Sequence, residues 1–217
     1  MLTSAGLSNK KIVNALVELT GKDPKKWRVA FVPTAANVST HGDMRWLIKD
    51  LVNFDKLGVA AIDIVDISAL SEEQWLPRLK KANILCFEGG NTLYLMHWIR
   101  KSGLDKILPE LLKTRVYMGI SAGSIVVCPS LLASTSEQLY DDEEEKVGEK
   151  ILGLSFVDFH IRPHFGDPDL KKFTEKNLRK LAENMKEKIY AIDDNSAIKV
   201  NGKKIEVVGT GKFLSFN

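Results

Sequence analysis

Apolar residues in the first 125 positions follow two alternating spacings. Trp27 to Val32 (WRVAFV) is an apolar run interrupted only by Arg28 and closed by Pro33, and Val59 to Val65 and Ala82 to Phe87 repeat the form. Such runs, without polar alternation, predict strands buried on both faces. Between them the apolar residues recur at helical intervals. Ile12, Leu16 and Leu19 share one face of a helix that Ser8 would cap and Gly21 would end. Met44, Leu47, Ile48 and Leu51 line one side of a helix over Asp43 to Phe54, and Ser71 to Lys80 opens with a Ser-x-x-Gln approximation to a capping box. Leu93 to Arg100 and Leu104 to Leu112 complete the helical set, while Met1 to Ser4 is a short β-favouring stub. Strands and helices in this rhythm predict an α/β fold: a mainly parallel central sheet flanked by helices, hence a three-layer sandwich. Sites in such sheets lie beyond the carboxyl ends of the strands.

The pattern changes in the second half. Val157 to Arg162 alternates, with Val157, Phe159 and Ile161 on one face and Asp158, His160 and Arg162 on the other. Pro163 to Gly166 ends that strand. Asp167-Pro168 reads as a helix start, with Leu170, Phe173, Leu178, Leu181 and Met185 as its buried side. Ile189 to Ile192 predicts a short strand that stops at Asp193-Asp194-Asn195, and Asn201-Gly202 predicts a C-terminal β-hairpin joining Ala197 to Val200 with Lys204 to Val208. Neither an internal repeat nor a linker interrupts the chain, so a single domain over residues 1–217 is expected.

Composition narrows the class of partner. A net charge of +3, spread along the chain, gives no basic patch for nucleic acid, and no apolar run approaches the roughly 18 residues of a membrane span. Met1 to Gly6 has no charged region followed by a long apolar one, so a cytoplasmic protein is expected. Cys86 and Cys128 form no metal or redox spacing, and Cys86 reads as a small buried hydrophobe. The acidic run Asp141 to Glu145 reads as a solvated loop.

Two stretches carry chemistry. Val116 to Ser124 (VYMGISAGS) reads as a strand, a sharp turn and a helix, with Gly119 and Gly123 bracketing Ser121 as G-x-S-x-G. A serine on such a turn needs small neighbours because the chain passes close on both sides, and the turn lifts its hydroxyl to the sheet edge. Glu88-Gly89-Gly90-Asn91-Thr92 likewise follows a strand, where glycines permit close backbone approach. A serine nucleophile needs a base oriented by a carboxylate. Of four histidines, His41 and His97 precede the elbow, and His160 reads as a hydrogen-bonded structural residue in its strand. His164 falls just past a strand end, where Ser121 should be. The carboxylate would be Asp193 or Asp194. That chain order, Ser then His then Asp, disfavours an α/β-hydrolase, whose order is Ser, Asp, His.

Three separated motifs in this order resemble the alpha-aspartyl dipeptidase (dipeptidase E) and cyanophycinase family of serine peptidases, which have a class I glutamine amidotransferase-like fold. Gly89-Gly90-Asn91-Thr92 is similar to the family's G-G-N-T segment, Gly119 to Ser124 to its G-x-S-A-G-[AS] nucleophile segment, and Arg162-Pro163-His164-Phe165 to its histidine segment; Pro129 recurs at the family's spacing. The resemblance implies Ser121 as nucleophile, His164 as general base, and Gly90 and Ala122 as oxyanion donors. It places the third member, a glutamate in dipeptidase E, at Asp194. It also implies hydrolysis of small peptides through an acyl-enzyme, a scheme that requires no metal or organic cofactor; the expected protein is a monomer or homodimer. Cyanophycin-like branched peptides and other amides are alternative substrates, and a catalytically weak binding protein is the rival of another class. Two departures concern the substrate: no acid aligns near Ser136, where dipeptidase E carries one, and the acidic stretch Asp141 to Glu145 is longer.

Overall fold

A computed structural model describes residues 1–38, 42–131 and 152–217. His41, Ser136 and the acidic run at 141–145 lie outside the described residues. The central sheet has seven strands in the order β3-β2-β4-β5-β1-β8-β9: β1 Leu2–Thr3, β2 Arg28–Val32, β3 Ala61–Ile64, β4 Ile84–Phe87, β5 Val116–Ile120, β8 Ser196–Asn201 and β9 Lys204–Gly209. Pairing is parallel from β3 through β1 and antiparallel from β1 to β8 and β9. The predicted hairpin at Asn201-Gly202 is therefore present, and it extends the central sheet.

Alternation along β4 shows how both faces of the sheet are covered. Leu85 and Phe87 pack with Val32, Leu95, Leu108 and Val126 in one layer. Ile84 and Cys86 pack with Ile12, Phe31, Phe54 and Met118 in the other. The helices between strands are α1 Lys10–Thr20, α2 Arg45–Lys56, α3 Glu72–Lys81, α4 Thr92–Lys101 and α5 Leu104–Leu111, followed by the short α6 Ala122–Ile125. Each fully buried Phe or Leu contributes about 1.5–3 kcal/mol. The result is the expected α/β sandwich, and no helix among the described residues is long and apolar enough to cross a membrane.

A second sheet of three strands, β10-β7-β6, stands beside the first: β6 Phe159–Arg162, β7 Lys188–Ile192 and β10 Phe213–Phe216. It carries its own small core under α7 (Glu175–Ala182), made of Phe173, Leu178, Leu181, Ile189, Ala191 and Phe216. Strand β10 has no counterpart in the sequence reading, because its short segment FLSF is mostly exposed and gives little periodic signal.

Several expectations are corrected. Asn9, not Ser8, caps α1, its side chain accepting from the N–H groups of Lys11 and Ile12. Strand β3 is an edge strand with Ile64 51% exposed, so its apolar run reflects pairing on one side only. On α2 the buried positions are Asp50 and Phe54, while Ile48 faces solvent. All four residues of β6 are buried, His160 and Arg162 included. The helix expected at Asp167-Pro168 begins only after Thr174, whose hydroxyl accepts from the N–H of Asn177. The Ser71 capping box and the Gly21 helix stop stand as expected, with Ser71 N–H donating to Gln74 Oε1 at 3.0 Å.

Candidate active site

Strand β5 runs into Ser121, whose backbone is held at φ 49° and ψ −109°. A non-glycine residue in that region costs on the order of 1–3 kcal/mol and persists only where its surroundings enforce it. The enforcement is visible. Ser121 N–H donates to Thr3 O at 3.0 Å, and Ser121 O accepts from the N–H groups of Ser124 and Ile125 at 2.8 and 3.1 Å. Ser124 Oγ accepts from Thr3 N–H and donates to Thr3 O, and Tyr117 Oη donates to Gly123 O at 2.6 Å. The bracketing glycines are required by contact: a Cβ at Gly123 would stand 2.0 Å from Phe87 O, and one at Gly119 2.5 Å from the Gly123 carbonyl carbon.

His164 follows β6 in the neighbouring sheet, at φ 61°. Its Nε2 lies 2.9 Å from Ser121 Oγ, and its Nδ1 lies 2.7 Å from Asp194 Oδ1. Asp194 follows β7, the strand paired in parallel with β6, so both side chains leave the carboxyl ends of adjacent strands. The Asp194 side chain is 50% exposed and that of His164 26%. The hydrogen bond from His164 holds the Asp194 carboxyl below its usual range against the opposing effect of partial burial; the His164 charge, Ser4 and the Lys49 charge add to the lowering. An ionised carboxylate only accepts, so Nδ1 carries the proton and Nε2 is left to accept from the serine hydroxyl. Asp193, the alternative carboxylate, serves the turn instead: it accepts from Asn195 N–H, Ser196 Oγ and Lys212 N–H. His160 is buried in β6 and His97 is exposed on α4, in line with structural and surface roles.

One member of this cluster escaped the sequence reading. Ser4 Oγ donates to Asp194 Oδ1 at 2.6 Å, accepts from His164 N–H at 2.8 Å and lies 3.3 Å from His164 Nδ1. The stub Met1 to Ser4 forms β1, a central strand, so Ser4 emerges at the same sheet edge as Ser121. Only its place directly after a β-favouring stub could have pointed to it.

Opposite His164, Gly89 and Gly90 close the site. Gly89 leaves room for Ser121, since a Cβ there would lie 3.2 Å from Ser121 Cβ. Gly90 has φ 127°, and a Cβ on it would sit 2.3 Å from Ala35 O. Among the described residues, neither the Gly90 nor the Ala122 N–H has a backbone acceptor; Ala122 is the first residue of α6, whose N–H has no intrahelical partner. Behind this turn, Asp50 of α2 and Glu88 at the end of β4 are both buried. Burial pushes the Asp50 carboxyl up to about 6. Burial and then the Asp50 charge push Glu88 well above the usual carboxylate range. The donor atoms of His164, Asp167 and Asp194 lie within 4.8 Å of one another. A metal ion there would compete for the atoms that join His164 to Asp194.

The chain resembles known peptidases over most of its length. It is 28% identical to the uncharacterized peptidase Lmo0363 of Listeria monocytogenes over 180 residues, 82% of this chain and 83% of the relative. It is 28% identical to peptidase E of Streptomyces coelicolor over 202 residues, 90% of this chain and 77% of the relative. Its fold matches the crystal structure of a protein from Listeria monocytogenes EGD-e proposed to be a peptidase E, with a TM-score of 0.78, 24% identity and 97% of each chain covered. Residues 1–208 match Peptidase family S51, and the chain belongs to that family of serine-type peptidases.

Proposed function

We propose that this serine-type peptidase hydrolyses small peptides through Ser121, His164 and Asp194, acting within one domain over residues 1–217. The observation that carries the reading is the continuous hydrogen-bonded line from Ser121 Oγ through His164 Nε2 and Nδ1 to Asp194 Oδ1, at 2.9 and 2.7 Å. His164 Nε2 takes the hydroxyl proton as Ser121 Oγ attacks the scissile carbonyl. The imidazolium that forms is stabilised by Asp194, whose lowered carboxyl pKa keeps it ionised. The oxyanion develops against the N–H groups of Gly90 and Ala122, each worth about 10²–10³ in rate for donors of this kind. His164 then protonates the leaving amine, the acyl-enzyme forms, and water repeats the sequence to release the acid.

Aspartate is one methylene shorter than the family's glutamate. The direct contact with His164 supports full orientation of the imidazole and speaks against a catalytically weak binding protein. Incubation with a panel of dipeptides, set beside β-linked Asp-Arg, tests the substrate class. The reading expects α-linked dipeptides to be cleaved and Ser121→Ala to be inert. Cleavage of the β-linked peptide alone would move the assignment to a cyanophycinase-like hydrolase.

A further inference from the structure

A pair of buried acids adjoins the Gly89–Gly90 turn, and the chemistry above does not use it. Glu88 N–H donates to Val32 O at 3.0 Å, so the β4 ladder continues one residue past Phe87. Strand alternation then puts Glu88 on the face of Ile84 and Cys86, beside Ile120 of β5. Helix α2 covers that face, and its buried positions are Asp50 and Phe54, one turn apart. Asp50 reaches the same spot from the helix. A Cβ built on Gly6 would run into Asp50 Oδ1 and would lie 3.2 Å from Ile120 Cδ1. The two carboxyls meet between α2 and the sheet, with Glu88 fully buried and Asp50 7% exposed. Neither Glu88 oxygen has a donor in hydrogen-bonding geometry among the described residues, although the Gly89 N–H is close enough to oppose the rise in its pKa.

Two buried carboxyls side by side cannot both ionise, because desolvation and mutual repulsion disfavour the second charge. One shared proton satisfies both, since a protonated carboxyl donates to an ionised one in a charge-assisted bond. The proton belongs to the pair. Resting on the peptidase reading above, we infer that this shared proton latches α2 to the oxyanion turn, which makes Asp50 and Glu88 positioning residues for the Gly90 N–H. Glu88 is bonded to Gly89, and Gly89 packs on the nucleophile, a Cβ there standing 3.2 Å from Ser121 Cβ. The far side of the turn is already held, by Asn91 N–H donating to Ala35 O at 2.9 Å. Loss of the proton leaves two like charges face to face and drives Glu88, with the turn attached, away from α2. Turnover should then fall at alkaline pH. The other charged or titratable groups facing the pair are Lys49 of α2, Asp194 after β7 and Cys86 of β4, on which the Met1 amino group acts in turn. Burial holds the Cys86 thiol neutral, and Ile120 of β5 is apolar.

Two variants separate the latch from simple packing. Glu88→Gln keeps a donor toward Asp50 that base cannot remove, whereas Glu88→Leu has none. Infrared spectra at neutral pH should show a protonated-carboxyl C=O stretch in the wild type that Glu88→Gln lacks. Kinetics on a dipeptide that the wild type cleaves should show kcat falling at alkaline pH while KM holds. Glu88→Gln should keep most of the neutral-pH kcat and lose the alkaline fall. Glu88→Leu should lower kcat about 10- to 100-fold with KM nearly unchanged, because a misplacement near 1 Å costs up to about 10²-fold. If Glu88→Leu fails to fold, the Glu88→Gln profile still decides. No such stretch in the wild type, no alkaline fall in it, a fall that persists in Glu88→Gln, or wild-type kcat in Glu88→Leu would overturn the inference. Failure of the peptidase reading is a separate result: a wild-type protein that cuts no dipeptide yet shows the stretch that Glu88→Gln loses.

Discussion

The proposed nucleophile and its proposed base stand on two different sheets, and they are held in different ways. Ser121 sits at the centre of the seven-stranded sheet, in a strained backbone fixed by main-chain hydrogen bonds and by glycines that admit no side chain. His164 and Asp194 sit on the three-stranded sheet, part-exposed, and are fixed by side-chain hydrogen bonds in which Ser4 is the shared partner. Ser4 itself follows β1 of the central sheet, so it ties one sheet to the other. The difference teaches where damage should appear. Changes to the glycines that bracket Ser121 act through packing and stability, whereas changes on the base side act through turnover.

The largest expected effect is on the base side. Asp194→Asn should lower kcat by about 10⁴ through the wrong imidazole tautomer, with a melting temperature within about 3 °C of wild type because the side chain is half exposed. At the elbow, Gly123→Ala forces a methyl against Phe87 O and should cost about 3 kcal/mol. That corresponds to a melting temperature lower by roughly 6–12 °C in a chain of this size. An unchanged melting temperature there would break the comparison. Ser4→Ala should lower kcat by about tenfold to a hundredfold while leaving KM near its wild-type value, since it removes a charge-assisted bond to Asp194 and the acceptor of His164 N–H, which together position the two residues. Ser4→Thr, which keeps the hydroxyl, should recover part of the loss.

The smallest effect concerns the buried acids Asp50 and Glu88 beside the Gly89–Gly90 turn. Burial raises the folded-state pKa of Asp50 to about 6, above the ordinary carboxylate value near 4. The folded chain therefore binds this proton more tightly than the unfolded one. Stability from this source is complete below about pH 4 and is lost as pH rises through about 6. Asp50→Asn should remove that loss, stabilising the protein at about pH 8 by on the order of 1–3 kcal/mol and changing little at about pH 4. A variant that melts lower than wild type at pH 8 would show that the carboxylate is bonded in a way the burial argument omits.

The comparison also explains what was readable in the sequence. The elbow was legible because its constraints are local: Gly119, Ser121 and Gly123 lie within five residues, and each is dictated by backbone contact. The parallel core was legible because β2, β4 and β5 are buried over nearly their whole length and leave apolar runs in which Arg28 is the one charged residue. His164 was found from its place after a strand. Asp193 and Asp194 could not be separated, because adjacent carboxylates in one turn differ only in which way the chain points them. Ser4 stayed hidden because its partner is far along the chain; it meets Asp194 across 190 residues. Asp50 is likewise not legible as a buried residue, since its neighbours Gly6 and Glu88 lie far from it along the chain.

The most direct test of the central claim is covalent labelling by a fluorophosphonate probe, read by intact mass, on wild type, Ser121→Ala and His164→Ala. The account predicts one label per wild-type chain and none on either variant. A folded wild type that takes no label, or a label that persists in Ser121→Ala, would contradict it.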